Sequence, residues 1–404
     1  MGNIISLKIR NTVNALALIK REGPITKNEI SKKIGITSVS SHNIVNDLLD
    51  QNVIREATDT SNAVTSGGRK AVSYELNPDF GMVVGQRMVL GRIETGLYDF
   101  QSACIAYRER RVSETNPDVI LRLMVDEIQE LLEENGIVPA QVIGAGVTWP
   151  GQVNDMTGVI LNLPNIPGYR GLEAKLIMEQ RLGFPVYIGN DVKGMVLALK
   201  WMGYCGTDSL AYFSSGPEGV GCGVINEGRL LSGFNHNAGE LAHIQVDFHG
   251  KMASFEQILL YAKVIDRCRA ALKEAGEAVE EDFDLDAMVD LANEGSEPVL
   301  RVLREALSYI KMCMDILVKL LDPHFLLWQV EWLARIPALR QELEQIVRES
   351  FSNVSYCYLQ IQMCDIDRLS TLGAAALLFD NFFTNKTSKN RLFAYNSEIL
   401  SKRE

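Results

Sequence analysis

Residues 26–49 read TKNEISKKIGITSVSSHNIVNDLL. Thr26 stands three residues before Glu29, the spacing of a reciprocal N-terminal cap, and predicts a helix over 27–34. Gly35 ends it, because glycine takes up the left-handed conformation in which helices stop. Ile36-Thr37 is the turn, and a further helix is expected over 38–50 with Val45, Leu48 and Leu49 inward. Its leading face carries Ser40, Ser41, His42 and Asn43, short side chains that donate and accept hydrogen bonds. This is a helix-turn-helix, whose second helix enters the major groove of DNA.

The flanks extend the unit. Val13, Leu16, Ala17 and Ile19 predict a preceding helix that ends at Gly23-Pro24. Val53-Ile54-Arg55 starts a strand and residues 71–76 form another. Between them TDTSNAVTSGGRK (58–70) reads as the tip of a wing. Arg69 and Lys70 beside two glycines suit the negative potential of a narrow minor groove. The competing reading is a three-helix protein-interaction domain with a solvated loop. Charge favours DNA: residues 1–80 hold 10 Lys/Arg against 8 Asp/Glu, and the remainder 30 against 43.

The whole chain has 404 residues and a net charge of −11, which excludes a globally basic nucleic-acid binder and calls for more than one domain. No apolar run reaches the roughly 18 residues of a membrane span, and the N-terminus lacks the pattern of a signal peptide. Seven cysteines without paired spacing fit a reducing cytoplasm, and without an apolar span no membrane partner is expected. Beyond residue 81, apolar–polar alternation over 82–106 gives way to a helical stretch at 117–135. Residues 142–147 read as a buried strand, 182–188 as a helix end and a strand, and 210–213 with 221–225 as a strand pair. A mainly helical pattern then runs from 255 to about 350. Mixed strands and helices with glycine turns indicate an α/β body of two lobes.

Residues 235–257, NHNAGELAHIQVDFHGKMASFEQ, hold Glu240, His243, His249 and Glu256. Carboxylates and an imidazole so spaced suit a metal, a catalytic site, a polyol pocket or a satisfied buried pair. Three stretches decide among these: GVTWPGQVNDMTGVILNLPNIPGYRGLEAKL (146–176), VYIGNDVKG (186–194) and GFNHNAGELAHIQVD (233–247). In order and spacing they resemble the ROK family of repressors, open reading frames and kinases. The winged head resembles its repressor branch, which includes the xylose and N-acetylglucosamine repressors. The resemblance covers nearly the whole chain. It implies an actin-like, hexokinase-like body with a sugar in the cleft between lobes.

Carried over residue by residue, the resemblance implies that Glu240, His243 and Glu256 bond sugar hydroxyls. Asn190-Asp191 matches the motif whose Asp deprotonates the sugar hydroxyl in the kinases, and Gly151 and Asn165 line the same pocket. The family's first phosphate turn, Asp-x-Gly-Gly-Thr, aligns with Arg87-Met88-Val89-Leu90-Gly91, where a cation replaces the Asp and bulky side chains replace two glycines. The second aligns with Gly216-Pro217-Glu218-Gly219-Val220-Gly221, which adds a residue and a carboxylate. Both changes oppose phosphate binding, so phosphoryl transfer is not expected. The family's cysteine-rich zinc segment has no counterpart after His243, and the shortened segment is expected to run directly into the helix near Ser254. With His249 and His236 as the only nearby candidates, no metal or other cofactor is expected. Cys313, beside Met312 and Met314, is expected in the core, and Cys357 and Cys364 in a strand.

The expected protein is a sugar-responsive repressor and not an enzyme, with a sugar kinase carrying a DNA-binding head as the alternative. Its domains are a winged helix-turn-helix at 1–80, a small α/β lobe at 81–190 completed by a helix at 370–385, and a large α/β lobe with a helical dimerisation region at 191–369. Its expected partners are operator DNA, a monosaccharide or derivative, and a second copy, as a homodimer or a dimer of dimers.

Overall fold

The computed structural model describes residues 2–57, 71–89, 91–162, 171–201, 209–280, 282–352, 354–366 and 368–384. Leu90, Asn165, the tip with Arg69 and Lys70, and the polar tail after 385 lie outside the described residues.

Helix α1 (Gly2–Glu22) buries Ala15, Leu16, Leu18 and Ile19, while Val13 and Ala17 are only half-buried. Strand β1 (Ile25–Thr26) leads into α2 (Lys27–Ile34). Both halves of the expected capping box are present: Thr26 Oγ1 accepts from Glu29 N, and Thr26 N donates to the Glu29 carboxylate at 2.9 Å. Gly35, at φ 68°, stops α2. Thr37 then caps α3 (Ser38–Asp50), which buries Ser41, Ile44, Val45 and Leu48. Strands β2 (Ile54–Glu56) and β3 (Ser73–Leu76) complete an antiparallel sheet of order β1-β3-β2.

The next sheet is built from β4 (Met82–Val89), β5 (Arg92–Tyr98), β6 (Cys104–Arg111), β7 (Val142–Trp149) and β10 (Val186–Asn190). Helix α4 (Pro117–Glu134) precedes β7. A hairpin of β8 (Gln152–Asn154) and β9 (Val159–Asn162), then α5 (Ala174–Leu182), precede β10, and α6 (Asp191–Trp201) follows it. The order is β10-β7-β4-β5-β6, with β4, β7 and β10 parallel. Alternation along the strands sorts the two faces. Val84 and Met88 of β4, and Ala145, Val147 and Trp149 of β7, join the apolar cluster with α4 and α5. Gly85 of β4 and Gly144 and Gly146 of β7 meet a closing helix, Leu369–Thr384. That helix lies so close that a Cβ on Gly85 or Gly146 would overlap the carbonyl oxygen of Thr371 or Ala374.

The second sheet uses β11 (Leu210–Gly216), β12 (Gly219–Asn226), β13 (Arg229–Leu230), β16 (Phe325–Val330) and β17 (Gln360–Met363), in the order β13-β12-β11-β16-β17. Here too the first strand is central, its hairpin partners lie on one side and parallel strands on the other. Between β13 and β16 come a hairpin of β14 (Gln245–Phe248) and β15 (Lys251–Ser254), then α7 (Phe255–Leu259), α8 (Tyr261–Glu274), α9 (Leu285–Asn293) and α10 (Glu297–Leu321). After β16 follow α11 (Glu331–Ala334) and α12 (Pro337–Ser350).

Three local expectations change. Strand β16 interrupts the stretch expected to be mainly helical: FLLWQV is a short continuous apolar run, which periodicity does not separate from a buried helix. The segment after His243 does not pass straight into a helix but first folds as the β14–β15 hairpin. Its turn residues His249 and Gly250 both have positive φ, as a tight hairpin requires. Cys357 and Cys364 flank β17 instead of lying in it. Cys313 and Met314 are buried as expected, but their neighbour Met312 is exposed.

The chain divides into two compact units, Met1–Gly206 with Arg368–Glu404, and Thr207–Asp367. The boundary expected at 190/191 would detach α6 from its sheet. The helix stays with the first unit because it packs on the closing helix at backbone distance: a Cβ on Gly194 would stand 2.8 Å from the Gly373 carbonyl oxygen.

Within the first unit the head is tied to the body through Lys20 at the end of α1. Its Nζ donates to the Gln101 carbonyl at 3.0 Å and to Ser102 Oγ at 2.5 Å, and lies 4.4 Å from the centre of the Phe379 ring. Burial lowers the Lys20 pKa to about 7, against a smaller opposing effect of Asp99. The unfolded chain therefore holds a proton that the folded chain has released between pH 7 and the ordinary lysine range, and stability rises with pH across that window. Comparing melting temperatures with Lys20→Met isolates this contribution. The difference, wild type minus variant, is expected to grow from pH 7 to pH 10; a flat difference refutes it.

Candidate functional site

The parallel strands of the first sheet end together. Register places Arg87 opposite Thr148, and Trp149 opposite Asn190. Helix α6 begins at the next residue, Asp191. Open α/β sheets bind ligands at such carboxyl-terminal strand ends. Asn190 caps the helix, its Oδ1 accepting from Lys193 N at 3.2 Å, while its Nδ2 donates to the Gly151 carbonyl at 3.2 Å. Two expected sugar contacts, Gly151 and Asn190, are thus bonded to each other.

Arg87 lies on the same face as Gly85 and reaches α6. Its Nη2 donates to Asp191 Oδ2 at 3.0 Å, and its Nη1 is 3.8 Å from Glu94 Oε2. All three residues are buried. The other Asp191 oxygen accepts from Val192 N at 2.9 Å. Glu94 is held further by Arg92 Nε at 2.8 Å and by Ser370 Oγ at 2.8 Å. Sequence reading took Arg87 only as a lost phosphate ligand. Its role as counter-ion to Asp191, 104 residues away, is a tertiary fact that no local spacing encodes.

In the second unit Gly239, at φ 90°, turns the chain against β12, where a Cβ would stand 2.7 Å from the Cys222 carbonyl oxygen. A 3-10 turn, Leu241–His243, then sets His243 between two carboxylates. Its Nε2 is 3.6 Å from Glu240 and its Nδ1 is 3.9 Å from Glu256. The His243 side chain is 68% exposed, so this is an open cluster and not a satisfied buried pair. A Cβ on Gly219 would lie 3.3 Å from Glu256, which brings the Pro217-Glu218 turn beside it. His249 turns elsewhere and pairs with Glu305 of α10 at 2.9 Å. Among the described residues no group of three His, Cys, Asp or Glu is placed to hold a metal ion.

On α3 the expected DNA face is redrawn. Ser41 is a correction: it is buried, and its hydroxyl donates to the Lys27 carbonyl at 2.7 Å, stapling α3 to α2. Ser40 is half-buried beside the capping Thr37 hydroxyl. His42 and Asn43 are exposed. Three further residues adjoin this face. Lys27 Nζ donates to Asn46 Oδ1 at 2.9 Å, and Asn46 Nδ2 lies 3.0 Å from His42 Nε2. Val39 is the third. Positions 39, 42, 43 and 46 share one face by helical spacing, a signal that was present in the sequence.

Comparison with known proteins places this geometry. The profile of the ROK family matches residues 91–381. The xylose repressor of Caldicellulosiruptor bescii is 27% identical over 256 residues, which cover 63% of this chain and 63%, less than two thirds, of that repressor. The DNA-binding transcriptional dual regulator NagC of Escherichia coli is 22% identical over 388 residues, 94% of each chain. A solved ROK family transcriptional regulator, a homologue of the E. coli MLC protein, shares the fold with a TM-score of 0.76 at 24% identity, over 98% of this chain and 99% of its own. The ROK hexokinase of Thermus thermophilus does so with a TM-score of 0.60 at 21% identity, over 73% of this chain and 97% of its own. The body is of the actin-like type that these structures share, preceded by a helix-turn-helix head. The family match spans well over half of the sequence, and the chain belongs to the ROK family.

Proposed function

We propose that the protein is a sugar-responsive transcriptional repressor. The observation that carries this reading is the buried Arg87–Asp191 pair. A kinase needs the Asp191 carboxylate to take a proton from the sugar; here a guanidinium neutralises it. The Glu218 carboxylate at the other turn opposes phosphate as well. What remains, around Asn190 and Asp191 in one unit and Glu240, His243 and Glu256 in the other, are donors and acceptors suited to polyol hydroxyls. The similarity to proteins named xylose repressor and N-acetylglucosamine repressor supports a monosaccharide or derivative as effector. The head binds operator DNA as part of a homodimer in the cytoplasm, because paired half-sites need paired heads. Sugar changes DNA affinity by binding one conformation better than another.

The test is operator affinity with and without each member of a sugar panel. One sugar shifts it. Glu240→Ala and Asp191→Ala, each losing bonds to a charged group, need about tenfold or more sugar for the same shift. Glu240→Ala still binds operator without sugar; Asp191→Ala also breaks the buried pair with Arg87, so its melting temperature is measured beside its sugar response. Both variants responding at wild-type sugar concentrations would refute the assignment of these residues. Sugar-dependent ADP formation that Asp191→Asn abolishes would instead establish the kinase.

A further inference from the structure

The outward face of α3 contains one residue that does not belong with its neighbours. Ser41, Ile44, Val45 and Leu48 define the buried face. At about 100° per residue, Val39 lies almost directly opposite them, flanked by His42, Asn43 and Asn46. It is 71% exposed. His42, Asn46 and Lys27 are linked to one another through the bonds already described. Val39 is therefore an apolar island in the first turn of the helix, surrounded by hydrogen-bonding groups and one cation.

Water gives such an arrangement no return, whereas the major groove does. The floor of that groove offers hydrogen-bond donors and acceptors and one apolar group, the C5 methyl of thymine. A helix that enters with its N-terminal residues first brings its first turn to the base edges. Position 39 thus faces bases when His42 and Asn43 do. The excess of basic over acidic residues in 1–80, on an otherwise acidic chain, favours a duplex over an acidic protein partner as the occupant of this face.

We propose that Val39 reads sequence: it packs on a thymine methyl in each operator half-site and sets specificity at that base pair. The proposal rests on the head being a DNA reader, and the test separates the two. Full-length protein selects duplexes from a randomised pool. Each thymine of the enriched half-site is then replaced by deoxyuridine, which lacks only the methyl, and affinities are titrated at one fixed salt. At one thymine the wild type is expected to lose about fourfold, the value of one buried methyl. Val39→Ala binds the thymine duplex about fourfold more weakly and no longer distinguishes thymine from uracil at that position. Its melting temperature stays that of wild type, since the side chain is exposed. Asn43→Ala binds more weakly but keeps the distinction. If Val39→Ala retains every thymine preference, or no thymine of the half-site is methyl-sensitive, the proposal fails while DNA binding stands. A pool without any enriched sequence overturns both.

Discussion

Replacing Arg87 with methionine is expected to destabilise the first unit by about 3–5 kcal/mol, the effect of leaving a buried charge without its partner. Glu94 keeps Arg92 and Ser370, so Asp191 bears the loss, retaining only the Val192 amide among the bonds described. At about 2–4 °C per kcal/mol for a unit of this size, the melting temperature falls by roughly 6–20 °C. The double variant Arg87→Met/Asp191→Asn recovers much of this, because a neutral amide needs no counter-charge. A single variant that melts within a degree of wild type, or a double variant no better than the single, contradicts the pairing. Freeing Asp191 in this way is not expected to create ATP turnover, since the Pro217-Glu218 turn is untouched.

Gly146→Val is the second large effect. The side chain would be driven into the Ala374 carbonyl of the closing helix. Overpacking costs about 1–3 kcal/mol where side chains can yield; here backbone must move, and a loss of about 3 kcal/mol or more is expected. Gly146→Ala falls between wild type and Gly146→Val. Limited proteolysis reads the local consequence, with the closing helix of the valine variant cut early. Unchanged melting and protection in Gly146→Val would show that the helix tolerates displacement.

The helices of the head were legible almost residue by residue. Its helices depend on local chemistry, the Thr26–Glu29 cap and the left-handed Gly35, and such chemistry is written in adjacent positions. Ser41 was misplaced because a serine in the first turn suits both a DNA face and a bond to a neighbouring helix; only the position of α2 decides. In the body, strand β16 looked helical because a six-residue apolar run carries no period of its own. The ROK motifs drew attention to Asn190, Asp191, Glu240, His243 and Glu256. That Arg87 reaches Asp191 became visible only once β4 and β10 were known to flank β7. Alternation along β4, once known, puts Gly85 and Arg87 on the face that α6 and the closing helix cover.

The closing helix also sets the order in which a nascent chain can mature. Strands β4, β7 and β10 leave the ribosome well before residues 369–384, by roughly 10–35 s at about 5–20 residues per second. In that interval the glycine-lined face of their sheet lacks the closing helix, and α1 lacks its seat on Phe379. The second unit is one uninterrupted stretch and can fold first. A chain released between the end of β10 and residue 369 thus carries its helix-turn-helix head on an unfinished platform. Such a product is expected to expose the surface that the closing helix covers and to be open to proteolysis, so incomplete translation is not expected to leave a folded first unit.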